Sequence, residues 1–168
     1  SLTGHLVFSM LHTNSAPETI TRLLDMEIDP FNFADALLGI MAQRLIRTLC
    51  PKCKEVYNPS EEEWDEIMEV YGREYFPALG IKYSPSYQLY HPKGCQNCGN
   101  TGYKGRMGVH ELLVGTDEIK RAVQRRAPID ELRQLAMQQG MRTLLQDAIE
   151  KSLRGVTDIK HARTVAVK

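Results

Sequence analysis

Four cysteines in two Cys-x-x-Cys pairs carry the clearest chemistry in this sequence of 168 residues. The first pair is Cys50 and Cys53, and the second is Cys95 and Cys98. Each pair can turn two sulfurs toward one metal ion while backbone N–H groups donate to the thiolates, and Gly99 suits the tight turn after the second pair. Two such pairs complete the tetrahedral set that Zn²⁺ prefers. The spacing therefore predicts a zinc site.

This zinc is expected to be structural, because four protein ligands leave no position for water or substrate, which also disfavours a zinc enzyme. The alternatives are two reduced dithiols or a single disulfide, whereas a thioredoxin-like redox role is disfavoured because Cys50 does not open a helix in a βαβ unit. Basic residues surround the cysteines in sequence and would offset the charge of a zinc bound by four thiolates. These residues are Lys52, Lys54, Lys93, Lys104 and Arg106.

Two histidines, His5 and His12, flank the apolar run over residues 6–11. A short continuous apolar run is typical of a strand that is buried on both faces in a parallel sheet. Extended chain would separate the histidines by roughly 20 Å, too far to share one metal. In a nucleotide-binding sheet ligands lie at the carboxyl ends of the strands, which favours His12. A polar residue that only ends the strand is the alternative.

The rest of the sequence predicts an α/β (α+β) fold from capping residues and hydrophobic spacing. Helices are expected to begin at residues 14–15, 29–30, 60, 116–117, 128, 141 and 157–158, and strands to span 40–49 and 107–114. The chain divides by pattern into three parts. Residues 1–49 carry the apolar run and the first helices, 50–113 are a zinc-binding module with a helical insertion, and 114–168 are a helical subdomain.

Composition excludes few classes of protein. The chain has 21 basic and 21 acidic residues, so its neutral charge disfavours nucleic acid as a partner. No apolar run approaches the roughly 20 residues that cross a bilayer, and the first residues lack a basic stretch leading into an apolar one. Neither membrane insertion nor export is expected. For a chain without an export signal, the reducing cytosol disfavours disulfides, and paired cysteines are then expected to bind a metal.

Three stretches, in this order, resemble the type II/IV secretion ATPases (GspE/PilB type), the family that powers type II secretion and type IV pilus assembly. Residues 2–16 are similar to the family's His box, 42–53 to the start of its metal-binding module and 94–111 to the end of that module. The resemblance covers nearly the whole chain and implies the C-terminal part of a RecA-like P-loop ATPase domain, with residues 1–49 as the C-terminal edge of the ATPase core. The four cysteines are typical of the assembly and secretion branch rather than the pilus-retraction branch.

The resemblance also implies partners and a site. It implies a hexameric ring, peripheral at the cytoplasmic face of the bacterial inner membrane, that works with an inner-membrane platform protein and uses ATP and Mg to move pseudopilin or pilin. The family's His box approaches the γ-phosphate, so the resemblance assigns that role to His12, with His5 as a second member. Secretion and pilus assembly are not separated by these motifs.

One departure from the family is decisive. The sequence has no Gly-x-x-x-x-Gly-Lys-Ser/Thr loop and no Gly-Lys pair, so it lacks the groups that hold the phosphates and magnesium. The Walker B carboxylate is also missing. The chain is therefore expected to be a C-terminal fragment that is inactive alone. A free-standing zinc-ribbon module for protein or nucleic-acid binding is the alternative, but it would explain the cysteines and not the apolar run with its histidines.

Overall fold

A computed structural model describes residues 1–166, and these form a mixed fold of helices and small sheets, as predicted. The chain divides into two compact units. Unit 1 comprises residues 1–43 and 110–143, and unit 2 comprises residues 44–109 together with the described residues from 144 to 166. The three parts predicted from the sequence, residues 1–49, 50–113 and 114–168, are regions of different residue pattern, and that division stays a prediction.

Seven α-helices and four strands lie within residues 1–166. The helices are α1 (Ala16–Asp25), α2 (Pro30–Ala36), α3 (Glu61–Tyr71), α4 (Asp117–Gln124), α5 (Ile129–Gln138), α6 (Leu144–Leu153) and α7 (Ile159–Arg163). The strands are β1 (Gly39–Leu49), β2 (Glu55–Tyr57), β3 (Leu89–His91) and β4 (Tyr103–Val114). Strand β1 pairs with β4, and β2 pairs antiparallel with β3. None of the helices in this described part is long and apolar enough to cross a membrane.

Helix starts follow side-chain capping chemistry. Five N-cap side chains each accept a hydrogen bond from the backbone N–H three residues further on. These N-caps are Ser15, Asp29, Ser60, Thr116 and Asp158. The predicted capping spacing at the start of α3 is therefore present, although the carboxylate of Glu63 accepts a hydrogen bond from the Tyr57 hydroxyl at 2.6 Å.

Unit 1 is held by apolar side chains on one face of each of its helices. Helix α1 packs against α5, and α4 packs against both α2 and α5. The buried core includes Ile20, Leu37, Leu113, Ile119 and Leu132. Because Leu113 lies in β4, this core also fixes one end of that strand.

Unit 2 has an aromatic core around α3. Trp64 makes edge contacts with Phe76 and Tyr87, with ring centroids 5.8 and 4.8 Å apart, and Tyr71 contacts Phe76 at 5.5 Å. Helix α6 packs against α3, α7 and β3. The side chain of Gln146 in α6 donates to the backbone oxygen of Tyr71 at 2.8 Å, which satisfies a carbonyl at the end of α3.

The prediction of a buried strand over residues 6–11 is wrong for this structure. These residues form no strand, and the side chains of Phe8 and Met10 are 88% and 93% exposed. A strand buried on both faces needs neighbouring strands to pair with its backbone. Among residues 1–166 the two sheets are the pairs β1–β4 and β2–β3, and neither includes this run.

Candidate metal centre

The four cysteines lie in two loops of unit 2. Cys50 directly follows β1, and the next residues form a turn that ends at Cys53. The Lys54 N–H donates to the Cys50 carbonyl across this turn at 3.0 Å. Between β3 and β4, Cys95 is the N-cap of a short 3-10 helix (Gln96–Cys98), and Cys98 is the last residue of that helix. The two loops are joined by a backbone hydrogen bond of 2.9 Å from Cys50 N–H to the carbonyl of Gly102.

The four sulfurs have the geometry of a metal site. All four Sγ atoms lie within 4.8 Å of one another, and none is in a disulfide. The Sγ–Sγ distances are 3.9 Å for Cys50 and Cys95, 3.8 Å for Cys53 and Cys98, and 3.8 Å for Cys95 and Cys98. A tetrahedron with Zn–S bonds of about 2.3 Å has edges of roughly 3.8 Å. The set could therefore hold a metal ion, and tetrahedral zinc fits it.

Backbone donors stabilise the Cys98 thiolate. Its sulfur accepts hydrogen bonds from the N–H groups of Cys95 at 3.3 Å and Gly102 at 3.2 Å. Burial alone would raise the pKa of the Cys98 thiol, but these bonds and the neighbouring thiols outweigh it and lower the pKa to about 6. This sulfur is prepared to bind a cation as a thiolate.

The pKa values of Cys53 and Cys50 are shifted in opposite directions. Burial, together with the neighbouring thiols, raises the pKa of Cys53 to about 11 despite a hydrogen bond from the Gly94 backbone. At Cys50 burial also acts to raise the pKa, but hydrogen bonds from the Lys52 backbone and the Asn97 side chain lower it overall. Four thiolates at these distances repel one another, and a bound dication would remove that conflict.

Gly102 makes the close approach of the two loops possible. Its φ is +80°, and a Cβ at this position would lie 2.4 Å from the Cβ of Pro92. The same residue donates to the Cys98 sulfur and accepts from the Cys50 backbone. A side chain here would therefore disturb both halves of the cysteine set.

The nearby basic side chains are used in different ways. The ammonium of Lys54 donates to the carbonyl of Gly155 at 2.9 Å, and Lys93 pairs with Glu55 at 2.7 Å. Lys104 instead reaches the second cysteine loop, where it contacts Asn97. The predicted group of bases thus contains residues with separate structural tasks.

The two predicted histidines lie in unit 1 and are exposed. The ring Nδ1 of His5 is 2.8 Å from the hydroxyl of Thr3. The backbone oxygen of His12 accepts a hydrogen bond of 2.7 Å from the Arg22 guanidinium of α1. Within residues 1–166 neither histidine joins a group of metal-binding side chains, and their catalytic role stays a prediction.

Two further residues, Asn97 and Glu111, make contacts that the sequence did not predict. Asn97 lies between Cys95 and Cys98, and its side-chain nitrogen is 3.6 Å from the sulfur of Cys50. Its position inside a Cys-x-x-Cys pair was the available signal. Glu111 is only 3% exposed and accepts a hydrogen bond from the α1 backbone, and a carboxylate in an apolar strand gave little sign of that contact.

Comparisons with known proteins find similarity over nearly the whole chain. A family described as type II/IV secretion system protein matches residues 1–164. A Thermus thermophilus protein, type IV pilus assembly ATPase PilB, is 40% identical over 98% of this chain and 18% of its own length. Type II secretion system protein E of Aeromonas hydrophila is 38% identical over 98% of this chain and 30% of its own length. Type II secretion system ATPase E of Vibrio cholerae is also 38% identical, with the same coverage. The chain thus spans less than a third of these relatives.

Proposed function

The chain belongs to the type II/IV secretion system protein family, and we propose that it is the C-terminal portion of a hexameric motor ATPase that powers type II secretion or type IV pilus assembly. The observation that carries this proposal is the family match over residues 1–164, with relatives named for both machines. The four-cysteine set is a second feature that the proposal accounts for.

Within such a motor, the residues of this chain have different tasks. Cys50, Cys53, Cys95 and Cys98 would hold a structural zinc ion, which would link the loop after β1 to the loop before β4. Because four protein ligands close the coordination sphere, this metal would stabilise unit 2 and take no part in ATP hydrolysis. The distances between the four sulfurs support zinc at this position.

His12 would act at the γ-phosphate of ATP in the complete motor, with His5 as a second, weaker contributor. An imidazole can donate from either nitrogen and can therefore respond to the presence of that phosphate. The exposed position of His12 and the Arg22 bond to its backbone are compatible with this role. ATP and Mg would be held by a phosphate loop elsewhere in the parent protein, because this sequence has no such loop.

The proposal also includes partners and a location. The parent would form a ring of six subunits at the cytoplasmic face of the bacterial inner membrane and would contact the platform protein of the machine. The names of the relatives support a secretion or pilus machine, and these names allow either one. Nucleic acid has no part in the proposal.

The test is to extend the chain toward its N-terminus until it includes the phosphate loop and to measure ATP hydrolysis. The extended protein should hydrolyse ATP, and a variant without the phosphate-loop lysine should not. The present chain should neither hydrolyse ATP nor bind it at micromolar concentration, because its sequence lacks the loop and the lysine that bind the phosphates. Micromolar ATP binding by the present chain in a calorimeter, or an inactive extended protein, would overturn the proposal.

A further inference from the structure

Cys50 is the most buried of the four cysteines. Its side chain has no solvent exposure, whereas those of Cys53, Cys95 and Cys98 are partly exposed. A buried thiolate cannot obtain hydrogen bonds from water, so the protein has to supply its donors. The side chain of Asn97 supplies one, with Nδ2 at 3.6 Å from the Cys50 sulfur.

The orientation of the Asn97 amide follows from the chemistry of Lys104. The Lys104 ammonium lies 3.0 Å from Oδ1 of Asn97 and 3.2 Å from the backbone oxygen of the same residue. A lysine ammonium only donates, so the amide atom that faces it has to be the oxygen. The NH₂ group is then directed at Cys50. Lys104 therefore fixes which end of the amide meets the sulfur.

Lys104 differs in this respect from the neighbouring lysines. Lys54 is bonded to the carbonyl of Gly155 and lies over the Tyr90 ring, and Lys93 pairs with Glu55. Of these three lysines, Lys104 is the one that contacts a residue that itself donates to a sulfur. It also places a positive charge beside a centre that would carry two negative charges with zinc bound.

We propose that Asn97 and Lys104 form a relay that sets how tightly the cysteine set retains its metal. Lys104 holds the amide, and the amide donates to the Cys50 thiolate, so both are positioning residues although neither is a ligand. This inference rests on the proposed zinc site. Hydrogen bonds to metal ligands typically change metal affinity by about 10- to 100-fold, so the effect is measurable.

The experiment compares zinc loss from variants of this chain to a chromogenic chelator. Asn97→Ala should lose zinc about 10- to 100-fold more readily than the unchanged chain. Asn97→Asp keeps the Lys104 contact but turns an acceptor oxygen toward the sulfur, and it should lose zinc more readily still. Gln96→Ala is the matched control, because Gln96 is exposed on the same 3-10 helix, and it should retain zinc normally.

A double-variant cycle tests whether Lys104 acts through Asn97. At a salt concentration that screens the exposed ammonium, Lys104→Met should weaken zinc retention in the unchanged chain but not in Asn97→Ala. Equal effects of Lys104→Met in both backgrounds would overturn the relay. With Co²⁺ in place of zinc, Asn97→Ala should also shift the thiolate-to-cobalt charge-transfer absorption to lower energy, because a thiolate without its donor releases charge more easily. General loosening of the fold would not produce that shift.

The outcomes separate the relay from the zinc site. If the unchanged chain binds zinc but Asn97→Ala retains it as well as Gln96→Ala does, the relay is wrong and the zinc site stands. If the unchanged chain purified without chelator binds no zinc, both are wrong. If Asn97→Ala does not fold, Asn97→Asp decides, since it preserves side-chain size, and normal zinc retention by that variant overturns the relay.

Discussion

The Glu111 carboxylate accepts a hydrogen bond of 2.8 Å from the backbone N–H of Ala16, and this bond joins β4 to the first turn of α1 within unit 1. Both residues are buried. The first N–H groups of a helix have no partner inside the helix, and the helix dipole makes this end favourable for negative charge. Glu111 therefore satisfies a free backbone N–H at the N-terminus of α1, directly after the segment that carries His12.

Replacing Glu111 with Ala should destabilise unit 1 by about 2–3 kcal/mol, because a buried N–H loses a charged acceptor. Glu111→Gln keeps an acceptor oxygen and should cost clearly less. The measurement is urea unfolding, combined with hydrogen exchange at the α1 amides. Asp25→Ala, at the exposed far end of α1, is the control and should change little. Equal stability of Glu111→Ala and Asp25→Ala would contradict the capping role.

Replacing Cys95 with Ser should remove the metal and loosen all of unit 2, since metal-binding energy is folding energy at such sites. The sequence alone suggests that the C-terminal helices stay folded. The structure changes that expectation for α6 and α7, because the segment between them accepts hydrogen bonds from the Leu49 backbone through Val156 and from Lys54 through Gly155. Helices α4 and α5 belong to unit 1 and should stay protected.

Hydrogen exchange with metal analysis measures this change region by region. The unchanged chain should carry one zinc after gel filtration, and Cys95→Ser should carry little or none. Amides of α6 and α7 should then exchange faster, whereas those of α4 and α5 should keep their rates. If α6 and α7 keep full protection in the metal-free variant, the cysteine loops do not support them.

Gly102→Ala should impair zinc binding although residue 102 is not a ligand. The new Cβ would meet Pro92 at 2.4 Å, and the positive φ of +80° adds strain of about 1–2 kcal/mol. Gly80→Ala is a matched control, because Gly80 also has a positive φ of +68° but has no atom within 4 Å of the added Cβ. Zinc content and melting temperature should fall more for Gly102→Ala. Similar losses for both variants would mean that backbone strain alone is responsible.

Features decided by neighbouring residues could be predicted from the sequence. Asp29 and Ser60 cap their helices as expected, and Ser15 is the N-cap at the first start, for which the sequence allowed Asn14 or Ser15. N-capping involves residues only three positions apart, so its signal is local. The two cysteine pairs were also recognisable, since each Cys-x-x-Cys has a local geometry. The mixed helix and strand fold follows from the same short-range patterns.

Features decided by distant contacts could not be predicted. The apolar run over residues 6–11 has the composition of a buried strand, but burial depends on partner strands that the sequence of the run does not encode. The place of α6 in unit 2 depends on contacts such as Gln146 with Tyr71, which are far apart in sequence. The link from Lys104 through Asn97 to Cys50 joins three segments in the same way.

His12 should matter for turnover more than for nucleotide affinity in the full-length parent. A phosphate loop and magnesium would supply most of the ground-state binding, whereas a histidine at the γ-phosphate gains strength as charge redistributes during transfer. His12→Ala should therefore lower kcat by roughly a hundredfold, which corresponds to about 3 kcal/mol, with nucleotide affinity nearly unchanged.

The measurement is ATPase rate and nucleotide affinity for His12→Ala and His5→Ala in the assembled ring. His5→Ala is the comparison variant, because His5 lies at the other end of residues 6–11 and should have the smaller effect. Circular dichroism and gel filtration establish that both variants fold and assemble. If His12→Ala keeps nearly the full rate, or if its only defect is failure to fold, then His12 is a polar residue that ends the apolar run and the assignment to the γ-phosphate is wrong.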